Sequence, residues 1–362
     1  MSAIHVNAAD PAGGSSKVAP ISLISYDKLL KKDAAEAARL FTACADWGFF
    51  YLDLAGANSN GYIENIDRLF DGSKAYFAQT TEEKMQDTRK EIDVYNICGF
   101  KPMGPQGLDS GNMQQKKNGS ENLRVPANLI HLPDQPSKLY FPVGMNPYKA
   151  EFTSFITDSS GMARLILENL SDVLKLEGDQ RFESFHPIGE SSTSSAVVQH
   201  YPTADLPPET SAGHFTHTDT GSITVLYNTE WGLQVFSPVT SEWEYVPPRP
   251  GCAIINVGDT LKFLSGLRLR SSLHRVAPPA GSWGSGSRSR YACIYFLRAA
   301  DNARFVDMDG VEWTGAQWLS QKFGSYRKPH EEQEKTTIST GRVGFAGLWE
   351  PESNLPSETV VS

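Results

Sequence analysis

Gly213-His-Phe-Thr-His-Thr-Asp219 is the stretch from which the rest of the chain is read. His217 and Asp219 stand two apart, and on a strand residues i and i+2 project from the same face. One imidazole and one carboxylate therefore enter whatever that face encloses. His214, three before His217, falls on the opposite face by the same parity and is set aside as a ligand, as is His200. A metal needs a third donor. Of the later histidines only His274 and His330 remain, and His330 lies in a polar tail. His274 sits in Ser272-Leu-His-Arg-Val276, which reads as a strand.

The surroundings of that stretch set the fold class. Short β-rich runs separated by Gly and Pro occur at 196–201, 223–227, 233–236, 243–246, 253–257 and 291–297, a pattern that predicts a sandwich or barrel. The chain before 194 is mostly helical in pattern. Ala37, Leu40, Phe41, Cys44 and Ala45 recur at helical spacing, and Phe49-Phe50-Tyr51-Leu52 follows as a buried strand. Amphipathic helices are predicted near 61–78 and over roughly 147–176, with Thr80 or Thr81 capping a short one between them. Helices and strands are segregated, so the class is α+β. The expected organisation is a flexible tail at 1–19, a helical scaffold at 20–190, a β-rich core at 191–325 and a polar C-terminal tail at 326–362.

Composition narrows the function. Of 362 residues, 40% are apolar and 21% charged, enough to bury a core. Lys plus Arg is 33 and Asp plus Glu 42, a net charge of −9 that disfavours general nucleic-acid binding. No apolar run approaches the ~18 residues of a membrane helix. The first twenty residues hold no apolar signal core, so a secretory leader is not expected. The four cysteines form no CxxC pair and have apolar neighbours, which points to reduced core thiols and a cytoplasmic setting. The expected partner is a small molecule; oligomeric state is not legible.

Two His and one carboxylate on one side of an octahedron leave three positions open, the ligand set of non-haem Fe(II) oxygenases. Arg290 opens the run Arg290-Tyr-Ala-Cys-Ile-Tyr-Phe-Leu297, in which Arg290, Ala292, Ile294 and Phe296 share a face. If that face lines a pocket, the guanidinium needs an anion, and a carboxylate-bearing small molecule supplies one by a two-pronged salt bridge. Phe296, of the same parity, is a candidate pocket wall. Tyr95, Phe100 and the Gly/Pro-rich stretch to Asn118 are candidates for its rim.

Taken together, these blocks resemble the isopenicillin N synthase-like branch of the Fe(II)/2-oxoglutarate-dependent oxygenases over about 18–325. The resemblance is carried by Cys44-Ala-Asp-Trp-Gly-Phe-Phe-Tyr-Leu52, His217-Thr-Asp-Thr-Gly-Ser-Ile-Thr-Val-Leu226, Gly232-Leu-Gln-Val235, Ile255-Asn-Val-Gly-Asp259, Leu273-His-Arg-Val276 and Arg290-Tyr291, in the family's order. It implies a double-stranded β-helix (jelly-roll) core flanked by N-terminal helices. It implies Fe(II) on His217, Asp219 and His274, and 2-oxoglutarate with its distal carboxylate on Arg290. Tyr201 matches a family tyrosine that helps hold that carboxylate, and Gln199 stands where many members have Asn. The implied activity consumes O2 and 2-oxoglutarate and oxidises a C–H bond of a small organic molecule by hydroxylation, desaturation or cyclisation, in the manner of secondary-metabolite tailoring enzymes.

Three departures stand out. Ala292 replaces the serine of the usual Arg-x-Ser, removing a hydroxyl from the co-substrate site. Asp53-Leu-Ala-Gly56 replaces an Asn-His-Gly. A Gly/Ser-rich insertion around 282–289, beside the expected iron site, is a candidate lid. The first departure keeps two alternatives open: an Fe(II) oxidase that needs no keto acid, and a jelly-roll that binds a ligand without catalysis.

Overall fold

The computed structural model describes residues 16–56, 60–88, 98–103, 119–133, 141–202, 214–277 and 289–347. Fourteen strands appear among them: β1 (Ser22–Ser25), β2 (Phe49–Asp53), β3 (Gly99–Lys101), β4 (Glu121–Pro126), β5 (Ser195–Tyr201), β6 (His214–His217), β7 (Ile223–Asn228), β8 (Leu233–Phe236), β9 (Trp243–Tyr245), β10 (Cys252–Val257), β11 (His274–Val276), β12 (Arg290–Leu297), β13 (Arg304–Val306) and β14 (Glu312–Thr314). The α-helices are α1 (Tyr26–Leu30), α2 (Ala34–Asp46), α3 (Asn60–Phe77), α4 (Thr81–Met85), α5 (Asn128–His131), α6 (Lys149–Val173), α7 (Asp259–Leu264), α8 (Gly315–Ser325) and α9 (His330–Gln333).

Eight strands form a large sheet in the order β1-β2-β10-β7-β12-β5-β4-β3, and four form a smaller one in the order β6-β11-β8-β9. The two faces of the large sheet do different work, and β12 shows why. Cys293, Tyr295 and Leu297 enter one core with α2, α3 and α6, including Leu40, Phe70, Phe155 and Ile166. Ala292 enters a second core with Leu226 and Ile254 of the large sheet and Leu233 and Val235 of the small one. Helices thus cover the outer face, and the inner face closes on the small sheet, which is the jelly-roll arrangement.

Local signals act as the sequence suggests. Thr80 caps α4 in a reciprocal box with Glu83. The α6 stripe of Phe152, Phe155, Met162, Ile166 and Leu170 is buried. Phe100, expected at a pocket rim, is instead buried in the helix-side core, its ring 6.2 Å from that of Tyr76. All four cysteines are free thiols.

The strands around the site differ from expectation. The strand at 272–276 shortens to β11, and β6 stops at His217, so Asp219 lies in the loop beyond it. Pairing ends where His217 meets His274, and the Asp219 carbonyl beyond it accepts from the first amide of α7. The polar stretch after α8 carries buried side chains. Gln333, Ser339 and Thr340 are buried because their polar groups are satisfied internally. The Gln333 amide donates to the Lys328 carbonyl at 2.8 Å and accepts from the Gly347 amide at 2.9 Å. Ser339 and Ser325 hydroxyls meet at 2.8 Å. Tyr95, most of the Gly/Pro-rich stretch before Asn118 and nearly all of the Gly/Ser-rich insertion lie outside the described residues.

Candidate metal centre and keto acid pocket

Register brings the first two donors together. His217 ends β6 directly opposite His274 on β11, and their ring centroids are 4.2 Å apart. Each ring is oriented from behind. Nδ1 of His217 lies 2.7 Å from the Phe215 carbonyl, and Nδ1 of His274 lies 3.0 Å from that of Ser272. A carbonyl can only accept, so each Nδ1 carries the proton and each Nε2 presents its lone pair. The edge of Phe49 packs on His274 at 5.4 Å between centroids.

Asp219 is held just as firmly, although by a loop. Its carbonyl accepts from the Asp259 amide at 2.7 Å. Its Oδ2 accepts from the Thr224 hydroxyl at 2.6 Å and the Asn256 amide at 2.7 Å. Oδ1 is then turned toward His217 Nε2 at 3.6 Å and His274 Nε2 at 3.8 Å. The three donor atoms lie within 4.8 Å of one another and could hold a metal ion. The site is also prepared electrostatically. Burial alone would raise the Asp219 carboxyl, but the His274 and His217 imidazoles and the Asn256 amide outweigh it and hold it far below the usual range. Burial, then His217, push His274 down to about 4, so it is neutral near pH 7, as a metal ligand must be. Two imidazoles and one carboxylate fit Fe(II) with positions left open.

Behind this loop lies a charge that sequence reading missed. Lys322 of α8 is fully buried and donates to Thr218 Oγ1 at 2.6 Å and to Asp259 Oδ2 at 2.5 Å. Thr218 separates two of the three donors. No local pattern marks Lys322. Asn256 and Asp259 stand in the quoted Ile255-Asn-Val-Gly-Asp259 block, and the inward parity of Asn256 on β10 would have found it.

Arg290 sits at the head of β12, buried, opposite Tyr201 of β5. Its guanidinium lies 4.8 Å from the centre of the Tyr201 ring, and its Nε donates to the Glu230 carbonyl at 3.3 Å. Nη1 is buried and has no hydrogen-bond partner among the described residues. Burial pulls the Arg290 pKa below its ordinary value, opposed by Tyr201 and Glu230. A buried donor of this kind fits a carboxylate supplied from outside the chain. Gln199 is buried and donates to Ser120 Oγ at 2.8 Å. Phe296 is half-buried on the same inner face, opposite Thr224, with the Arg124 and Arg298 guanidiniums 5.5 Å and 5.3 Å from its ring. His200 instead bonds Glu121 at 2.9 Å and stacks on Tyr291 at 4.6 Å, away from the three donors.

The profile of the 2OG-Fe(II) oxygenase superfamily matches residues 193–299, and that of the non-haem dioxygenase in morphine synthesis N-terminal region matches 21–142. The chain is 38% identical to the 2-oxoglutarate-dependent dioxygenase FG08081 of Gibberella zeae over 326 residues, 90% of this chain and 93% of that one. The chain belongs to the 2OG-Fe(II) oxygenase superfamily. It is also 35% identical to the 2-oxoglutarate-dependent dioxygenase frbH of a Dothideomycetidae species over 318 residues, 88% of this chain and 94% of that one. Among solved structures, a full-length Neurospora crassa protein in complex with alpha-KG and thymine superposes with a TM-score of 0.69 at 18% identity, covering 84% of this chain and 96% of that one. The oxygenase is accordingly an Fe(II)- and 2-oxoglutarate-dependent enzyme with a jelly-roll core. Among the described residues no helix is long and apolar enough to cross a membrane.

Proposed function

We propose that His217, Asp219 and His274 hold the Fe(II), that Arg290 and Tyr201 take the distal carboxylate of 2-oxoglutarate, and that Gln199 and Phe296 shape the pocket. The substrate is a small organic molecule whose C–H bond is hydroxylated, desaturated or cyclised. A tailoring step in secondary metabolism, in the cytoplasm, is the setting that analogy within the family favours. The observation that carries the metal assignment is the convergence of the two Nε2 atoms and Asp219 Oδ1, with every other polar atom of those side chains turned to a partner behind.

When bound, iron and the keto acid supply the oxidising power, with O2 as the oxidant and succinate and CO2 as co-products. The chain's own residues bind and orient. The carbonyls of Phe215 and Ser272 fix the imidazole tautomers. Thr224 and Asn256 reserve Oδ2 of Asp219, so that only Oδ1 faces the metal. Arg290 fixes the far end of the co-substrate, and Phe296 presents an apolar wall to the substrate. The test is succinate release from the Fe(II)-loaded protein over a panel of small molecules. Substrate-dependent succinate, abolished in His217→Ala, is the expected result. Full product without succinate would overturn the assignment of Arg290 to the keto acid.

A further inference from the structure

Beyond Arg290, the inner face carries a second buried cation, at the metal end of β12. Phe296 lies opposite Thr224, whose hydroxyl holds Asp219 Oδ2, so this end of the strand stands beside a metal ligand. The Phe296 ring is half-buried, whereas Ala292 of the same face is closed over by the small sheet. Arg298 follows one residue after Leu297, the last of β12. Its guanidinium is 5.3 Å from the Phe296 ring, and that of Arg124 on β4 is 5.5 Å from the same ring. The Arg298 stem also reaches the metal loop. A Cβ placed on Gly221, two residues after Asp219, would sit 3.0 Å from Arg298 Cγ.

Arg298 is 7% exposed. Among the described residues its side chain makes one hydrogen bond, to the Thr193 carbonyl, and its Nε has no partner. Burial, then Arg124, pull its pKa down to about 9, against Asp219 and Tyr295, so it stays charged at pH 7. The Asp219 carboxylate is already held by Thr224 and Asn256 and turned to the two histidines. A guanidinium buried without a counter-anion is costly, and an anion that arrives with the substrate supplies both the charge and an acceptor for Nε. It is not the anion of Arg290. Eight positions at about 3.3 Å each put the two backbones roughly 26 Å apart. We propose that Arg298 is a specificity-determining residue: the substrate carries a carboxylate, which the Arg298 guanidinium binds while the apolar body of the molecule lies on Phe296. One monoanion balances one buried guanidinium, and the planar fork of arginine matches a carboxylate. This rests on the reading of Phe296 as the substrate's wall and names the class of substrate that reading leaves open.

The test uses the full chain loaded with Fe(II) and saturated with 2-oxoglutarate without oxygen, so that the keto acid site is already filled. Acetate, hexanoate and benzoate are each titrated against the matching primary amide, reading the visible charge-transfer band and the melting temperature. At least one acid is expected to bind about tenfold tighter than its amide, the usual effect of a hydrogen bond to a charged group. Arg298→Gln, which keeps a donor for the Thr193 carbonyl, should abolish that preference and leave amide binding and 2-oxoglutarate affinity within about twofold of the parent. The urea midpoint of R298Q without added acid should equal or exceed the parent's, because no unbalanced charge is then buried. No acid preferred over its amide, or a preference that survives in R298Q, would overturn the proposal. A preference that survives in R298Q and is lost in Arg290→Ala would place the anion on Arg290 and overturn the keto acid assignment as well. Phe296→Ala should weaken each acid and its amide alike. Unchanged binding there, with the preference still lost in R298Q, would remove Phe296 as the wall and leave Arg298 in its role. Should R298Q fail to fold by circular dichroism, Arg298→Lys decides, since it keeps the charge and removes the fork. Acid affinity lower by about threefold or more, with the amide unchanged, supports the proposal, and unchanged acid affinity overturns it.

Discussion

Replacing Lys322 with methionine tests whether the metal loop is braced from behind. The change keeps most of the stem's volume and removes one cation. In the native protein Nζ donates to Asp259 at 2.5 Å and to Thr218 at 2.6 Å, and the two ionic side chains are 0% and 4% exposed. Without Lys322 the Asp259 carboxylate stays buried, with the Thr218 hydroxyl at 3.1 Å as its remaining side-chain donor. Removing one partner of a buried ion pair costs about 3–5 kcal/mol, because a charge is left in a medium that solvates it poorly. The exposed pair Arg304–Glu312, 3.2 Å apart and 67% and 59% exposed, is the control. Arg304→Ala should cost less than about 1 kcal/mol. Urea titrations at pH 7 with a common slope measure both. The double variant Lys322→Met with Asp259→Asn should be less destabilised than the sum of the single variants, since neither charge is then stranded. Thr218 joins His217 to Asp219, so the single variant should also weaken Fe(II) binding by about 10–100-fold, the usual range for groups that orient ligands. A parental urea midpoint and parental Fe(II) affinity in Lys322→Met would refute the bracing role.

Other outcomes follow from the same geometry. Asn256→Ala removes one of the two side-chain donors that reserve Asp219 Oδ2; Fe(II) affinity by competitive chelation should fall about 10–100-fold with little change in 2-oxoglutarate binding measured on the metal-saturated protein. His186 is buried between the Phe182 carbonyl and the Ser222 hydroxyl, and burial pushes its pKa from 6.5 down to about 4. The unfolded chain therefore binds the extra proton first, so stability is complete above pH 6.5 and is lost as pH falls toward 4, by about 3 kcal/mol in all. Urea midpoints for the parent and His186→Gln across that window should show a flatter pH dependence in the variant; parallel curves would count against it. Gly48 has φ +63°, and a Cβ there would sit 2.0 Å from the Arg270 carbonyl oxygen. Gly48→Ala should cost more than about 2 kcal/mol in a thermal melt, because strain and a backbone clash add.

Much of this was legible because it runs along the chain. Parity separates the two faces of β12, and each enters its own core, Cys293 and Tyr295 toward the helices and Ala292 toward the small sheet. The Thr80 cap and the α6 stripe are likewise local. The grouping of His217, Asp219 and His274 is legible as residue types, but strand parity alone does not produce it. Asp219 reaches the histidines from a loop fixed by the Asp259 amide rather than as the next inward residue of a strand. The burial within the polar C-terminal stretch is not legible for a different reason. Composition reports how many polar groups there are, and only the fold shows whether water or other side chains satisfy them. Ser325 with Ser339, and Gln333 with Gly347, do so internally.

Sites read across strands are harder to see in a sequence than motifs read along one. The Arg-x-Ser pattern places an arginine and a hydroxyl on one face of one strand, and Ala292 breaks it. A bound carboxylate, however, meets a row of side chains about 4.8 Å apart on successive strands, and is indifferent to which strand supplies a donor. With Arg290 on the keto acid as proposed, substitutions in β5 beside Tyr201 should register in the affinity for 2-oxoglutarate before they register in metal binding, since the side chains that hold Asp219 and Thr218 come from β7, β10 and α8.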